Sequence, residues 1–264
     1  NIGGRTVTQL TNDPSRDVMP TFSPDSERVA FASDRGGNFD IYIMSIDGGK
    51  VVQITSDAGH EMHPSWSPDG NLLAYCKLGE TSGKWEIWVV DLRTYTRHFV
   101  EWGLFPQWCP DITVPKILIQ RGQQRGKRYY SVWTVDFING EALHPTQIVS
   151  SDAAAVMNPA WGPDGTRIVF TTVTETADDP EQADLWVVNL DGTGQTNLTN
   201  GLYANFVPTW SPDGTIYFVS NRSGIDNIWA LQPDRALTLT RSDRPGVASG
   251  PASTTTGVAT APTD

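Results

Sequence analysis

The chain has 264 residues, 38% of them hydrophobic and 19% charged, and 19 basic against 30 acidic residues leave a formal net charge of -11. That much apolar material, with ten Trp, seven Tyr and nine Phe, suffices to bury a core and excludes a disordered chain, while the acidic balance disfavours nucleic acid and anionic membranes as partners. No run approaches the roughly 18 apolar residues of a membrane-spanning helix, so no transmembrane segment is expected; the start at Asn1 in place of Met points to processing or to a missing upstream segment.

Along the chain, RTVTQLT at 5–11 reads as an outer strand, and then one phrase recurs five times: MPTFSPDS, HPSWSPDG, FPQWCPDI, NPAWGPDG and VPTWSPDG. Each copy places a first proline (Pro20, Pro64, Pro106, Pro159, Pro208) four residues before a second (Pro24, Pro68, Pro110, Pro163, Pro212), with an aromatic between them: Phe22, Trp66, Trp108, Trp161 or Trp210. Proline presets φ at the first corner of a turn, aspartate accepts backbone N–H groups and glycine takes the left-handed corner, so Pro-Asp-Gly predicts a tight turn between two strands. The runs that follow, RVAFAS, LLAYCKL, KILIQ, RIVFTT and TIYFVS, and then DIYIM, EIWVV, SVWTV, DLWVV and NIWAL, have the length and β-branched or aromatic content of strands. An outer strand such as KVVQITS or QTNLTN closes the unit. The second prolines are 44, 42, 53 and 49 residues apart, which suits four short antiparallel strands per repeat. The fold class is therefore all-β, a β-propeller of four-stranded blades.

Five phrases predict five blades closed by the N-terminal strand. A six-bladed ring, or an open ring completed by a neighbour, is the alternative, because RTVTQLT and ALTLT at 236–240 both read as outer strands and only one can complete the fifth blade. The propeller is assigned to residues 1–241. Residues 242–264, rich in Pro, Gly, Ser, Thr and Ala, are assigned to a linker or tail. The aromatics between the prolines are expected to pack between blades, and Cys76 and Cys109 to be buried, quiet thiols.

The phrase PxWSPDG, the bends Ser33 to Gly36 and Asn221 to Gly224, and the following Ile-Tyr or Ile-Trp strand resemble the TolB-type, WD40-like propeller repeat over roughly residues 5–240. That resemblance implies a periplasmic or otherwise extracytoplasmic propeller that binds a protein partner in a membrane or envelope complex. The third copy departs from the pattern, with Cys109 in place of serine and Asp-Ile-Thr-Val-Pro after the turn.

Long connections between the second and third strands of copies two to four single out one face for binding. One carries Arg121, Arg125, Lys127, Arg128, Tyr129 and Tyr130, and its neighbour Glu175, Asp178, Asp179 and Glu181. These charges either pair with each other at the surface or form a docking surface for a protein. Ahead of the first prolines, Asp17, His60, Glu61, His63, Asn158 and Asn205 are expected to rim the central channel, with Trp102 and Phe105 there in copy three. His60 and His63 lie in a loop feeding a strand, without an evident third ligand, and no metal or cofactor is expected. Asp17 and Glu61 as the acids, together with His63, would serve a carbohydrate-active alternative, a lyase or hydrolase. No G-x-S-x-G, Walker, H-E-x-x-H or dinucleotide motif occurs. The leading expectation is a non-catalytic interaction or assembly subunit; a propeller module of a larger enzyme is a further alternative.

Overall fold

A computed structural model describes residues 8–122, 130–174 and 182–233. Blade 1 comprises β1 (Asp17–Phe22), β2 (Arg28–Ser33), β3 (Asp40–Ser45) and β4 (Val52–Gln53). Blade 2 comprises β5 (Glu61–Trp66), β6 (Leu72–Leu78), β7 (Trp85–Asp91) and β8 (Arg97–Trp102). Blade 3 is β9 (Leu104–Trp108), β10 (Lys116–Gly122), β11 (Tyr130–Ile138) and β12 (Glu141–Val149), and blade 4 is β13 (Ala155–Trp161), β14 (Arg167–Val173), β15 (Ala183–Asn189) and β16 (Thr196–Asn197). Blade 5 shows β17 (Asn205–Trp210), β18 (Ile216–Ser220) and β19 (Asn227–Leu231). Both candidates for its outer strand lie wholly or partly outside the described residues. Strands pair antiparallel with their sequence neighbours in every blade, so the chain is a five-bladed β-propeller, as the repeats predict.

The Pro-Asp turns close as their residue types dictate. The Ser23, Ser67 and Ser211 hydroxyls donate to Asp25, Asp69 and Asp213, and each aspartate accepts a backbone N–H at the far side of the turn, from Glu27, Asn71 and Thr215. These bonds hold the Asp25 and Asp213 carboxyls below the ordinary carboxylate range. Gly70, Gly165 and Gly214 take the left-handed corner at φ of 70°, 69° and 83°, and Ser26 fills the same place in copy one at 60°. Where Cys109 and Gly162 replace the serine, Asp111 and Asp164 still accept the N–H of Thr113 and Thr166.

The residue before each first proline is Met19, His63, Phe105, Asn158 or Val207, and all five have φ between 50° and 55°. Five unlike side chains in one left-handed conformation show that the backbone imposes it. The pairing of the first strand with the second slips at this point in all five blades, the signature of a bulge that bends the strand. The bulge turns this residue toward the axis: Met19, His63 and Phe105 line a cavity of about 290 Å³ with Pro20, Pro64 and Pro106.

Four seams between successive blades hold the core. In the first, Ala30, Ala32, Ile41, Ile43 and Ile54 of blade 1 meet Trp66, Leu73, Tyr75 and Val90 of blade 2, and equivalent sets fill the next three. Two of the four repeated tryptophans stitch their seams polarly as well: Trp66 Nε1 donates to the Thr21 carbonyl (3.2 Å) and Trp161 Nε1 to the Gln107 carbonyl (3.0 Å). Arg28 and Arg167 stack on Trp66 and Trp210 of the following blade. Both cysteines are buried and free, and burial pushes the Cys76 thiol up to about 12, which makes it a poor nucleophile.

Candidate interaction surface

The residues expected at the channel rim separate into two groups. His63 and Asn158 sit at the bulge; the His63 ring packs edge-on against Phe105 at 4.5 Å, and its burial lowers its basicity. Asn158 N–H donates to Gln120 Oε1. Asp17, Glu61 and Asn205 stand three residues before the proline, and Glu61 and Asn205 are fully buried, so their side chains do not reach solvent at a rim. Asp17 is half-buried and accepts from Arg35 at 2.9 Å. Burial pushes its carboxyl up, but hydrogen bonds from Ser33, Arg35 and Thr11 outweigh that and hold it low. Asn205 accepts from Arg222 at 2.8 Å. Exposed His60 accepts the Phe39 N–H through Nδ1. Asp17 thus pairs with Arg35 within blade 1 while Glu61 is buried at the start of blade 2, and no group of three or more His, Cys, Asp or Glu suited to a metal occurs among the described residues.

Of the charged connections, Arg121 and Tyr130 are described. Arg121 pairs with Glu101 of blade 2 at 3.3 Å and stacks on Trp133, while Tyr130 is exposed. Arg125, Lys127, Arg128, Tyr129, Glu175, Asp178, Asp179 and Glu181 lie outside the described residues.

The surface that departs most from the repeat is the fifth seam. Ile41, Ile87, Val132 and Leu185, the second residues of the runs DIYIM, EIWVV, SVWTV and DLWVV, are completely buried, yet Ile228 at the same place in NIWAL is 79% exposed. Ala30, Ala74, Leu118 and Val169 are likewise completely buried, and their counterpart Tyr217 is exposed. Leu10, the counterpart of buried Ile54 and Leu198, is exposed, and on the facing side Phe22 is 66% exposed where Trp66, Trp108 and Trp161 are 7–8%. Among the described residues no strand of blade 5 packs on blade 1 as the first strands of blades 2 to 5 pack on the blades before them. Both halves of an inter-blade interface therefore face solvent.

The sequence model of the TolB beta propeller domain matches residues 1–134. The chain belongs to that family. Its 75-residue match to the uncharacterized protein Atu1656 of Agrobacterium fabrum is 33% identical, covering 28% of this chain and 24% of that protein. A 47-residue match to the Tol-Pal system protein TolB of Bordetella pertussis is 40% identical, covering 18% and 11%. The crystal structure of TolB from Acinetobacter baumannii superposes with a TM-score of 0.60 at 18% identity, over 79% of this chain and 51% of that one. A puromycin-hydrolyzing peptidase from Mycobacterium tuberculosis gives 0.65 at 15% identity, over 84% and 36%. At these identities the structural likenesses establish the fold, and the chain spans about half the length of the A. baumannii protein and less of the others.

Within this TolB-type propeller, sequence reasoning passed over Phe22, Tyr217 and Ile228 as surface residues. NIWAL has the pattern of DLWVV, and nothing local distinguishes a covered strand from an uncovered one. The available signal was the surplus outer strand, which implies that one blade boundary is unlike the rest.

Proposed function

We propose that this TolB-type propeller is a non-catalytic interaction or assembly subunit of an extracytoplasmic envelope complex, and that its open fifth seam receives a protein partner. The observation that carries this reading is the contrast between exposed Ile228 and its four fully buried counterparts. Exposed apolar surface of this kind marks an interaction site. The occupant is a β-strand or sheet with an apolar face, because that is what covers the equivalent positions in the other seams. Likeness to a Tol-Pal system protein supports the envelope setting.

The test is a photo-reactive amino acid placed at position 228, and as a control at exposed Tyr95 in the turn between β7 and β8, followed by irradiation in native envelope extract. One dominant foreign subunit captured from 228 and not from 95 is expected. Adducts within the chain alone, at both positions, would overturn the reading.

A further inference from the structure

At the start of β5, Glu61 is fully buried, and at the start of β3, Asp40 is 2% exposed. One belongs to blade 2 and the other to blade 1, and their carboxyls face each other across the first seam. The blades also meet through the Glu61 N–H, which donates to the Phe39 carbonyl at 2.7 Å. Asp40 Oδ2 accepts from Gln53 Nε2 at 3.0 Å, but Asp40 Oδ1, both Glu61 oxygens and the buried Tyr75 hydroxyl lack partners.

The equivalent positions in other blades show what is missing. Asp17 has Arg35 and Asn205 has Arg222, each two residues beyond the residue paired with it on the second strand. At that place blade 2 carries Gly79. The nearby cations are engaged elsewhere: Lys77 (2.9 Å) and Arg97 (3.0 Å) both bind Asp57, and Arg35 lies over Tyr42 and Phe31. Thr55 Oγ1 accepts the Ile41 N–H, its hydroxyl beside Glu61 opposes the upward push on that carboxyl without outweighing it, and a Cβ on Gly36 would stand 2.8 Å from Asp40 Oδ2, so the backbone crowds the pair on that side. Two buried carboxyls without a cation cannot both carry charge at tolerable cost.

We propose that Asp40 and Glu61 share one proton, and that this proton clamps blade 1 to blade 2. Glu61 O–H donates to the Asp40 carboxylate, supplying the donor that the unpartnered oxygens lack. Loss of the proton leaves two like charges in an apolar seam and loosens it. Burial first, and then the hydrogen bond to Asp40, push the Glu61 carboxyl from 4.5 up to about 8. With the folded state holding its proton to about pH 8 and the unfolded chain losing it near 4.5, the folded state binds more protons between these limits. The stabilisation is complete below about pH 4.5 and is lost as pH rises toward 8.

The test compares denaturant unfolding of the wild type and Glu61→Gln from pH 5 to 9, together with infrared detection of a protonated carboxyl. Relative to the variant, the wild-type unfolding constant is expected to rise by up to about tenfold per pH unit between pH 5 and 8. A carboxylic-acid C=O band is expected in the native wild type at pH 7, fading near pH 8 and absent from the variant. If Glu61→Gln does not fold, the wild-type band and its titration decide alone. Equal pH slopes, or no such band, would overturn the proposal. So would a rise in wild-type stability on adding calcium or magnesium chloride that Glu61→Gln lacks, since the pair would then hold a metal ion.

Discussion

Trp161→Ala is expected to lower the unfolding free energy by about 3–5 kcal/mol, whereas Phe22→Ala, at the same place in the repeat, is expected to lower it by less than about 1 kcal/mol. Trp161 is buried among Leu118, Val132, Ile148 and Ile168 and donates its indole N–H to the Gln107 carbonyl of blade 3. Its removal opens a cavity in a seam whose strands cannot collapse independently and leaves that carbonyl without its donor. Phe22 is aligned with it in the repeat and contributes a comparable aromatic body, yet two thirds of its surface is already in water. Chemical denaturation of the two variants checks the contrast. Similar large losses would mean that the fifth seam is closed in the isolated protein.

The second large effect is expected on binding. Ile228→Glu should leave the stability of the isolated protein within about 0.5 kcal/mol of wild type, because the side chain lies in solvent and the charge needs no desolvation. The same charge placed in an apolar protein contact lacks a partner and must be stripped of water. Loss of an interface anchor costs about 2–4 kcal/mol, a fall in affinity of roughly 30- to 1000-fold. Titration of both proteins against the subunit captured from position 228 measures it. Unchanged affinity would remove the seam from the interface, and a large loss of stability would show that Ile228 is covered within its own chain.

The blades were legible because the turn chemistry is local. Pro24, Pro68 and Pro212, their aspartates and the glycines or serine that follow act within a few residues, and the structure closes these turns with the predicted groups. Glu61 and Asn205 were not legible as buried residues. Counting back from Pro64 or Pro208 along an ideal strand ignores the left-handed residue at His63 or Val207, which sends the position before the proline to the channel and leaves the position two earlier between blades. The seam was less legible still, since the exposure of Ile228 depends on how far blade 5 stands from blade 1, a property of the whole ring that no five-residue pattern contains. The pairing of Asp40 with Glu61 joins residues 21 positions apart in sequence and rests on Gly79 standing where blades 1 and 5 have arginine.

Hydroxyl-radical footprinting of the isolated protein tests the open seam most directly. Phe22, Tyr217 and Ile228 are expected to oxidise readily while Trp161, Val169 and Leu185 stay protected, and addition of the captured subunit is expected to protect the first three alone. Protection of Phe22, Tyr217 and Ile228 in the isolated protein, equal to that of their counterparts, would contradict the account.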